Sequence, residues 1–155
     1  MTAVAVDIRH RPGKLTAMAR ALSQDHGVGE VFVRGAFNKQ KAEWLKWRGH
    51  DPLATTTEWR ANARRLIREG LATADAQLIR QSLLRAAQYL VQRIRERITT
   101  GMLGTNTAVT RKIKHWKVMH GLATARYGDP PPYGVETGHM VHSMIAKWRP
   151  GRGTR

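Results

Sequence analysis

The sequence contains no cysteine, few acidic residues and no long apolar run, and each absence excludes a class of protein. Without cysteine, disulfide bonds and cysteine-ligated zinc are excluded in any compartment. The uninterrupted apolar runs are only a few residues long, which excludes a membrane-spanning helix. The first residues lack the basic-then-apolar order of a signal peptide. We therefore expect a soluble protein that is synthesised in a cytoplasm and has no segment that spans a membrane.

The shortage of acidic residues leaves a large excess of positive charge. The chain has 27 lysines and arginines against 11 aspartates and glutamates, a formal net charge of +16. The excess is strongest at the C-terminal end, where residues 101–155 contain only Asp129 and Glu136 as acids. A charge of this size indicates an anionic partner, which in general is nucleic acid, an acidic protein surface or a membrane face. Of these, we expect no membrane partner here. No basic low-complexity block occurs, so the cations are expected on folded elements.

The hydrophobic patterning predicts an α+β fold, in which a small antiparallel sheet packs against a long central helix and shorter helices. A single domain is predicted over residues 1–149, followed by a frayed basic tail over 150–155. The alternation of apolar residues predicts a strand at Val4–Ile8, and β-branched content predicts another at Glu30–Arg34. Between them the spacing predicts a helix over 13–24. Only one or two helical turns are predicted within Ala42–Trp47.

The longest periodic segment predicts a helix from about Thr73 to Ile98, long enough to be the spine of a small domain. Its apolar stripe comprises Ile79, Leu83, Ala86, Ala87, Leu90, Val91, Ile94 and Ile98. Before it, a helix is predicted over Thr57–Gly70, with Thr56 or Thr57 as its N-cap.

The segment after the long helix is predicted to contain two shorter helices separated by an extended proline run. Asn106 or Thr107 can cap a short basic helix, and Thr137 is predicted to cap a second one that begins at Gly138. The following residues, Ile145–Trp148, can continue as a strand.

No arrangement of residues indicates an enzyme. His139 and His142 stand at i, i+3, which could place both on one helical face, but no third metal ligand is fixed by spacing. The three serines occur outside any Gly-x-Ser-x-Gly motif, and no glycine-rich phosphate-binding loop is present. We therefore expect no catalytic residue, no metal and no cofactor. A nuclease that binds a metal through these histidines, with Glu136 or Asp129 as the carboxylate, is the third alternative.

Binding to nucleic acid without sequence specificity is the alternative that the charge leaves open. Trp116 and Tyr127 could stack on bases, although the five tryptophans are more typical of core or interface anchors. The cations that could neutralise phosphates are Arg64, Arg65, Arg68, Arg93, Arg95, Arg97, Arg111, Lys112, Lys114 and Lys117.

From Ser82 onward the order of motifs resembles the neck and tail-completion proteins of tailed bacteriophages, a group of head–tail connector and virion-morphogenesis proteins. Members show a long helix, a Thr-x-x-Lys step after a loop, a proline-containing approach and an Asp-Thr-Gly-x-Leu-x-x-Ser-Ile segment. The corresponding segments here are Leu83–Ile98, Asn106–Ile113, Pro130–Tyr133 and Glu136–Met144. Three positions depart from the family pattern, since Glu136 stands for aspartate and Met140 and Met144 stand for branched aliphatics.

The resemblance implies a structural virion protein at the head–tail interface. It would form part of a homo-oligomeric neck, tail-completion or tail-terminator ring, a hexamer or a dodecamer, in contact with other neck, connector and tail-tube proteins. Contact with the backbone of channel DNA is also implied. The family continues with further strands, and either the 27–37 region or a neighbouring subunit could supply one here.

Two sets of site residues follow from the resemblance and from the charge pattern. The structural motif comprises Asn106, Thr110, Lys112, Pro131, Thr137, Gly138, Met140 and Ser143. The expected contacts with partner subunits or DNA are Arg93, Arg97, Arg111, Lys114, Trp116, Lys117, His139 and His142.

Overall fold

The computed structural model describes residues 4–5, 26–73 and 75–151, and it confirms the α+β class. Within these residues the strands are β1 (Val4–Ala5), β2 (Val28–Val33) and β3 (Met144–Arg149). The helices are α1 (Ala36–Trp47), α2 (Thr57–Leu71), α3 (Ala76–Thr99), α4 (Ala108–Met119) and α5 (His139–Ser143), with a 3-10 turn at Ala125–Tyr127. No helix in this part of the chain is both long and apolar enough to cross a membrane.

The chain divides into two compact units. The first contains the residues up to Phe32, Thr55–Val91 and the residues from Ile145, and the second contains Val33–Ala54 and Gln92–Met144. The single domain expected over 1–149 stays a prediction. The predicted helix over 13–24, the end of the first predicted strand and most of the expected basic tail lie outside the described residues.

The first unit contains the three-stranded sheet, in the order β1-β2-β3. β1 pairs antiparallel with β2, placing Val4 opposite Val31. The indole N–H of Trp148 donates to the carbonyl of His26 over 2.8 Å, so the end of β3 lies beside the start of β2. The predicted strand at 30–34 is confirmed, although it begins at Val28 and ends at Val33. The 27–37 region supplies the neighbour of β3.

The sheet packs against α3 through a glycine. A Cβ at Gly29 would lie 2.2 Å from the carbonyl oxygen of Leu83 and 3.2 Å from the Cβ of Ala87, so only glycine fits at this point of β2. On another side of the same unit, Gly70 of α2 approaches Ser82 equally closely, since a Cβ there would lie 2.1 Å from its hydroxyl. These close approaches bring the sheet and α2 onto the helix that the apolar stripe predicts.

The ends of α2 and α3 follow ordinary capping chemistry. The side chain of Thr56 accepts the N–H of Trp59 over 3.1 Å, which confirms one of the two predicted caps of α2. Asp75 accepts the N–H groups of Gln77 and Leu78 and so begins α3. The stripe predicted for this helix is buried except at Leu83, which is partly exposed.

The second unit begins with a helix that the sequence underestimates. The helix α1 runs for 12 residues from Ala36, whereas one or two turns within 42–47 were expected. It buries only Ala42 and Leu45 and leaves Phe37, Trp44 and Trp47 exposed. The periodic signal is weak because large apolar residues occupy both faces of this helix.

Candidate interaction surface

A buried lysine holds the proline loop of the second unit. Lys114 lies on the inner face of α4 with 8% of its surface exposed. Its Nζ donates to the carbonyls of Pro131 at 3.2 Å, Pro132 at 2.5 Å and Val135 at 2.8 Å. The three N–H groups of an ammonium therefore match three acceptors. Lys114 was expected to contact a partner, and its position corrects that expectation, because its donors are used inside the fold.

Burial also alters the acidity of Lys114. Loss of hydration lowers its pKa to about 8, although the nearby carboxylate of Glu136 opposes this and the cations of Lys41 and Lys117 reinforce it. Burial lowers the pKa of Lys41 for the same reason. Glu136 forms an ion pair with Lys117 and so supplies the single carboxylate of this lysine cluster.

Two arginines in the last turns of α3 hold other loops of the second unit in the same way. Arg97 donates to the carbonyls of Asp51 and Pro52 through one nitrogen and to that of Ala54 through another. Arg95 donates to the carbonyls of Val141 at 3.1 Å and Met144 at 2.6 Å. Arg97 therefore has an internal structural role, and its expected contact with a partner stays a prediction, since part of its side chain is exposed.

Three of the segments quoted for the resemblance, Asn106–Ile113, Pro130–Tyr133 and Glu136–Met144, lie in this unit. The amide of Asn106 donates to the carbonyl of Pro131 over 2.9 Å, which links two of the predicted motif residues. Thr107 caps α4 by accepting the N–H of Thr110, and the hydroxyls of these two threonines lie 2.8 Å apart. Lys112 lies exposed on the same helix. Pro131 is fully buried, and the peptide bond that joins Asp129 to Pro130 is cis.

The predicted cap of the last helix is wrong. The N-cap residue of α5 is Gly138, in the left-handed conformation with φ 78°, and Thr137 is exposed and makes no capping bond. Met140, Val141 and Met144 are buried. The hydroxyl of Ser143 donates to the carbonyl of Met140 over 2.7 Å. Gly138 lies close to the ring of Tyr127, since a Cβ there would lie 2.8 Å from its Cε2.

Substitutions of Thr137 and Gly138 should show which of the two residues stabilises the start of α5. We expect Gly138→Ala to lower the free energy of unfolding by about 2 kcal/mol, because it combines a left-handed backbone with a steric overlap. Thr137→Ala should change it by less than about 0.5 kcal/mol, as is usual at the surface. Chemical denaturation of both variants measures the difference.

Gly121→Ala is the matched control for Gly138→Ala. Gly121 has a similar φ of 70°, but nothing lies within 4 Å of the position a Cβ would take. Its variant should lose about 1 kcal/mol from the backbone conformation alone. An equal loss of unfolding free energy at 121 and 138 would show that the overlap with Tyr127 does not contribute to the loss.

His139 and His142, the pair at i, i+3, share no common partner among the described residues. His142 Nε2 lies 2.8 Å from the hydroxyl of Tyr127, while His139 is exposed. His115 Nδ1 lies 2.9 Å from one carboxylate oxygen of Asp129 at the other end of the same loop. Among the described residues, no three histidine or acidic side chains are grouped so that they could hold a metal ion.

The outer face of α4 is apolar and exposed. Val109, Ile113 and Trp116 recur at i, i+4 and i+7, and their exposed fractions are 68%, 50% and 53%. The ring of His120 stacks on that of Trp116 with centroids 4.2 Å apart, and Met119 extends the stripe. We call the stripe formed by Val109, Ile113, Trp116, Met119 and His120 the α4 face.

An exposed cation borders the α4 face. Lys112 stands three residues after Val109 and four before Trp116, so it lies next to the stripe. The exposed Arg111 stands two residues from both Val109 and Ile113 and lies on another side of the helix. On the less exposed side, Lys114 bonds the proline loop and Lys117 pairs with Glu136, while Thr110 and Val118 are half-buried. The helix is thus amphipathic with its apolar side outward, which is the pattern of a surface that another molecule covers.

The remaining predicted contact residues lie at exposed or half-exposed positions of the second unit. Arg93 pairs with Glu96 at 3.0 Å. Arg111, Trp116 and His139 are exposed, Lys117 is half-buried and pairs with Glu136, and the exposed His142 lies beside the hydroxyl of Tyr127. Their expected contacts with a partner stay predictions.

Comparison with known proteins gives no relative. No protein-family model, curated protein or solved structure matches this chain.

Proposed function

We propose that the protein is a structural, non-enzymatic subunit of a bacteriophage head–tail junction, part of the neck or tail-completion ring that joins the tail to the capsid connector. The observation that carries the proposal is the α4 face, an apolar stripe exposed on a basic helix. A soluble protein rarely leaves four large apolar side chains on one helix face unless another molecule covers them. A subunit of a ring has such surfaces by necessity.

The arrangement of the motif segments supports the same proposal. The loop that begins at Asn106, the proline run and α5 belong to one compact unit and are tied together by hydrogen bonds. Arg34 at the end of β2 donates its N–H to the carbonyl of Ser143 over 2.7 Å, which fixes the exit of α5. These contacts hold a rigid scaffold beneath the α4 face, as an assembly subunit requires.

The internal use of cations reduces the support for a nucleic-acid-binding protein. Lys114 and Arg97 direct their donors to backbone carbonyls, and Lys117 pairs with Glu136. Arg111 and Lys112 remain exposed on α4, and Lys112 borders an apolar stripe that a phosphate backbone cannot cover.

Removal of the gene from the phage that encodes the protein tests the proposal. We expect separate filled heads and separate tails in the lysate, with infectious particles reduced by several orders of magnitude. Supplying the wild-type protein from a plasmid should restore joined particles, and the protein should then co-purify with them. Normal particles without the protein, together with tight and steeply salt-dependent DNA binding by the purified chain, would instead favour the nucleic-acid alternative.

A further inference from the structure

We infer that the exposed side of α2 is a binding site for the phosphate backbone of a nucleic acid, which it contacts through Arg60, Arg64 and Arg68 without reading the sequence. We call these three arginines the α2 row. The inference goes beyond the proposed function, because α2 belongs to the first unit and the α4 face to the second. Three observations support this occupant.

The first observation is the position of the three arginines. They stand at i, i+4 and i+8, so they follow one another along one side of the helix over a length of about 12 Å. Arg60 and Arg68 are exposed, and Arg64 is half-buried. Duplex DNA carries one negative charge per about 1.7 Å of its axis, so a row of this length lies opposite several phosphates.

The second observation is that no carboxylate neutralises the α2 row. The helix contains two acids, and neither stands three or four residues from a member of the row. Glu69 pairs with Arg65 at 2.6 Å, and Glu58 precedes Arg60 by two residues. No ion pair in the described part of the chain includes a member of the row.

These unpaired charges leave interactions that a bound anion would complete. Arginines at i, i+4 repel one another, which lowers the stability of the free protein. The buried Nε of Arg64 has no hydrogen-bond partner. The guanidinium of Arg60 reaches the carbonyl of Thr56 and the hydroxyl of Thr57, each at 3.4 Å. A phosphate between these side chains relieves the repulsion and accepts their N–H groups.

The third observation is the lack of an apolar centre. No large apolar side chain is exposed on α2, all of whose residues the structure describes, and the other exposed positions on the side of the row, Thr57 and Ala61, have small side chains. The core of a protein–protein interface is apolar, whereas a surface that binds nucleic acid is polar and strongly positive. Arginine also fits phosphate with two parallel hydrogen bonds. The α2 row therefore favours a nucleic acid over an acidic protein.

The test measures binding of the full-length protein to fluorescein-labelled duplex DNA by fluorescence anisotropy over a series of salt concentrations. Two duplexes of equal length and unrelated sequence serve as probes. Polyglutamate is the competitor that represents an acidic protein. The slope of the logarithm of the association constant against the logarithm of the salt concentration reports how many phosphates the protein neutralises.

One pair of variants separates the row from the net charge. The row variant, Arg60→Gln/Arg68→Gln, removes two exposed charges, and Arg64 is kept because it is half-buried and its replacement also alters packing. The matched control is Lys39→Gln/Lys46→Gln, which removes two exposed charges from α1 and changes the net charge equally. Unchanged melting temperatures establish that both variants are folded.

We expect the wild type to bind both duplexes with micromolar affinity at low salt and with equal strength, as contacts independent of sequence require. The row variant should bind about tenfold or more weakly at moderate salt, and its salt slope should be smaller by about 2. The lysine control should bind like the wild type. Polyglutamate should displace the DNA only at a large excess of charge.

Four results would overturn the inference. They are no binding of DNA by the wild type at low salt, equal affinity and salt slope for the row variant and the wild type, an equal loss of affinity in the row variant and the lysine control, and displacement of the DNA by polyglutamate at equal charge concentration. The last result would identify an acidic polypeptide as the partner.

A failure of this inference is distinct from a failure of the proposed function. If particles need the protein to join heads to tails but the purified chain does not bind DNA, only the α2 row is wrong. If the row binds DNA but particles are normal without the protein, only the role in the particle is refuted.

Discussion

Replacing Lys114 by methionine is expected to lower the free energy of unfolding by about 3 kcal/mol. The buried carbonyls of Pro131, Pro132 and Val135 each lose a charge-assisted hydrogen bond, and methionine has no donor to replace it. Methionine keeps the length and the apolar stem of lysine, so the loss measures the ammonium and not the packing. Urea denaturation followed by circular dichroism gives the value.

Lys112→Met is the matched control, because Lys112 lies on the same helix with its side chain exposed. Its effect should stay within about 0.5 kcal/mol. If the two variants unfold at the same urea concentration, the three carbonyls do not depend on Lys114.

The difference in stability between the wild type and Lys114→Met should also depend on pH. Burial lowers the pKa of Lys114 to about 8 from an ordinary 10.5, so between these values the unfolded chain retains a proton that the folded chain has released. Raising the pH through this window favours the folded state. The stability of the wild type relative to Lys114→Met should therefore rise between pH 8 and 10.5, by at most about 3 kcal/mol, and stay constant between pH 6 and 7. A difference that falls across the window would contradict the lowered pKa.

Gly29→Ala should destabilise the first unit by about 3 kcal/mol or more, because the new methyl group would meet a main-chain atom. The Cβ would lie 2.2 Å from the carbonyl oxygen of Leu83, and neither β2 nor α3 can yield without losing its own backbone hydrogen bonds. Thermal unfolding followed at 222 nm measures the loss.

Gly104→Ala is the control for the same substitution at a softer contact. Its Cβ would meet side-chain atoms of Tyr133 at 3.1 Å and His50 at 3.2 Å, and these rings can rotate away. We expect a loss of about 1 kcal/mol or less there. Equal losses at the two glycines would mean that the sheet moves freely on α3.

The sequence predicted the elements whose apolar side faces the core. The stripe of α3 repeats every 3.6 residues over many turns and is buried, and the cap at Thr56 follows a common side-chain pattern. The helix predicted from the sequence at α1 was too short, because Trp44 and Trp47 are exposed and the apolar residues do not define a single side. Thr137 was wrongly predicted as the N-cap, because the N-cap of α5 is the next residue, Gly138, in the left-handed conformation.

The main contacts of the second unit had no local signal. A buried lysine such as Lys114 has the same one-letter signature as an exposed one, and its acceptors lie 17 to 21 positions away. One sign was present in the sequence. The apolar residues of α4 define one face and Lys114 stands off that face, so the apolar side and the lysine side cannot both face the core.

The cations that hold loops through carbonyls have a consequence for the behaviour of the protein in concentrated salt. The bonds of Arg95, Arg97 and Lys114 to Met144, Pro52 and Val135 are partly or fully buried and directed at neutral acceptors, so dissolved ions screen them little. Lys112 is exposed to the solvent, where screening is strong. Concentrated salt should therefore weaken any contact that the exposed cations make with an anionic molecule and leave the second unit folded.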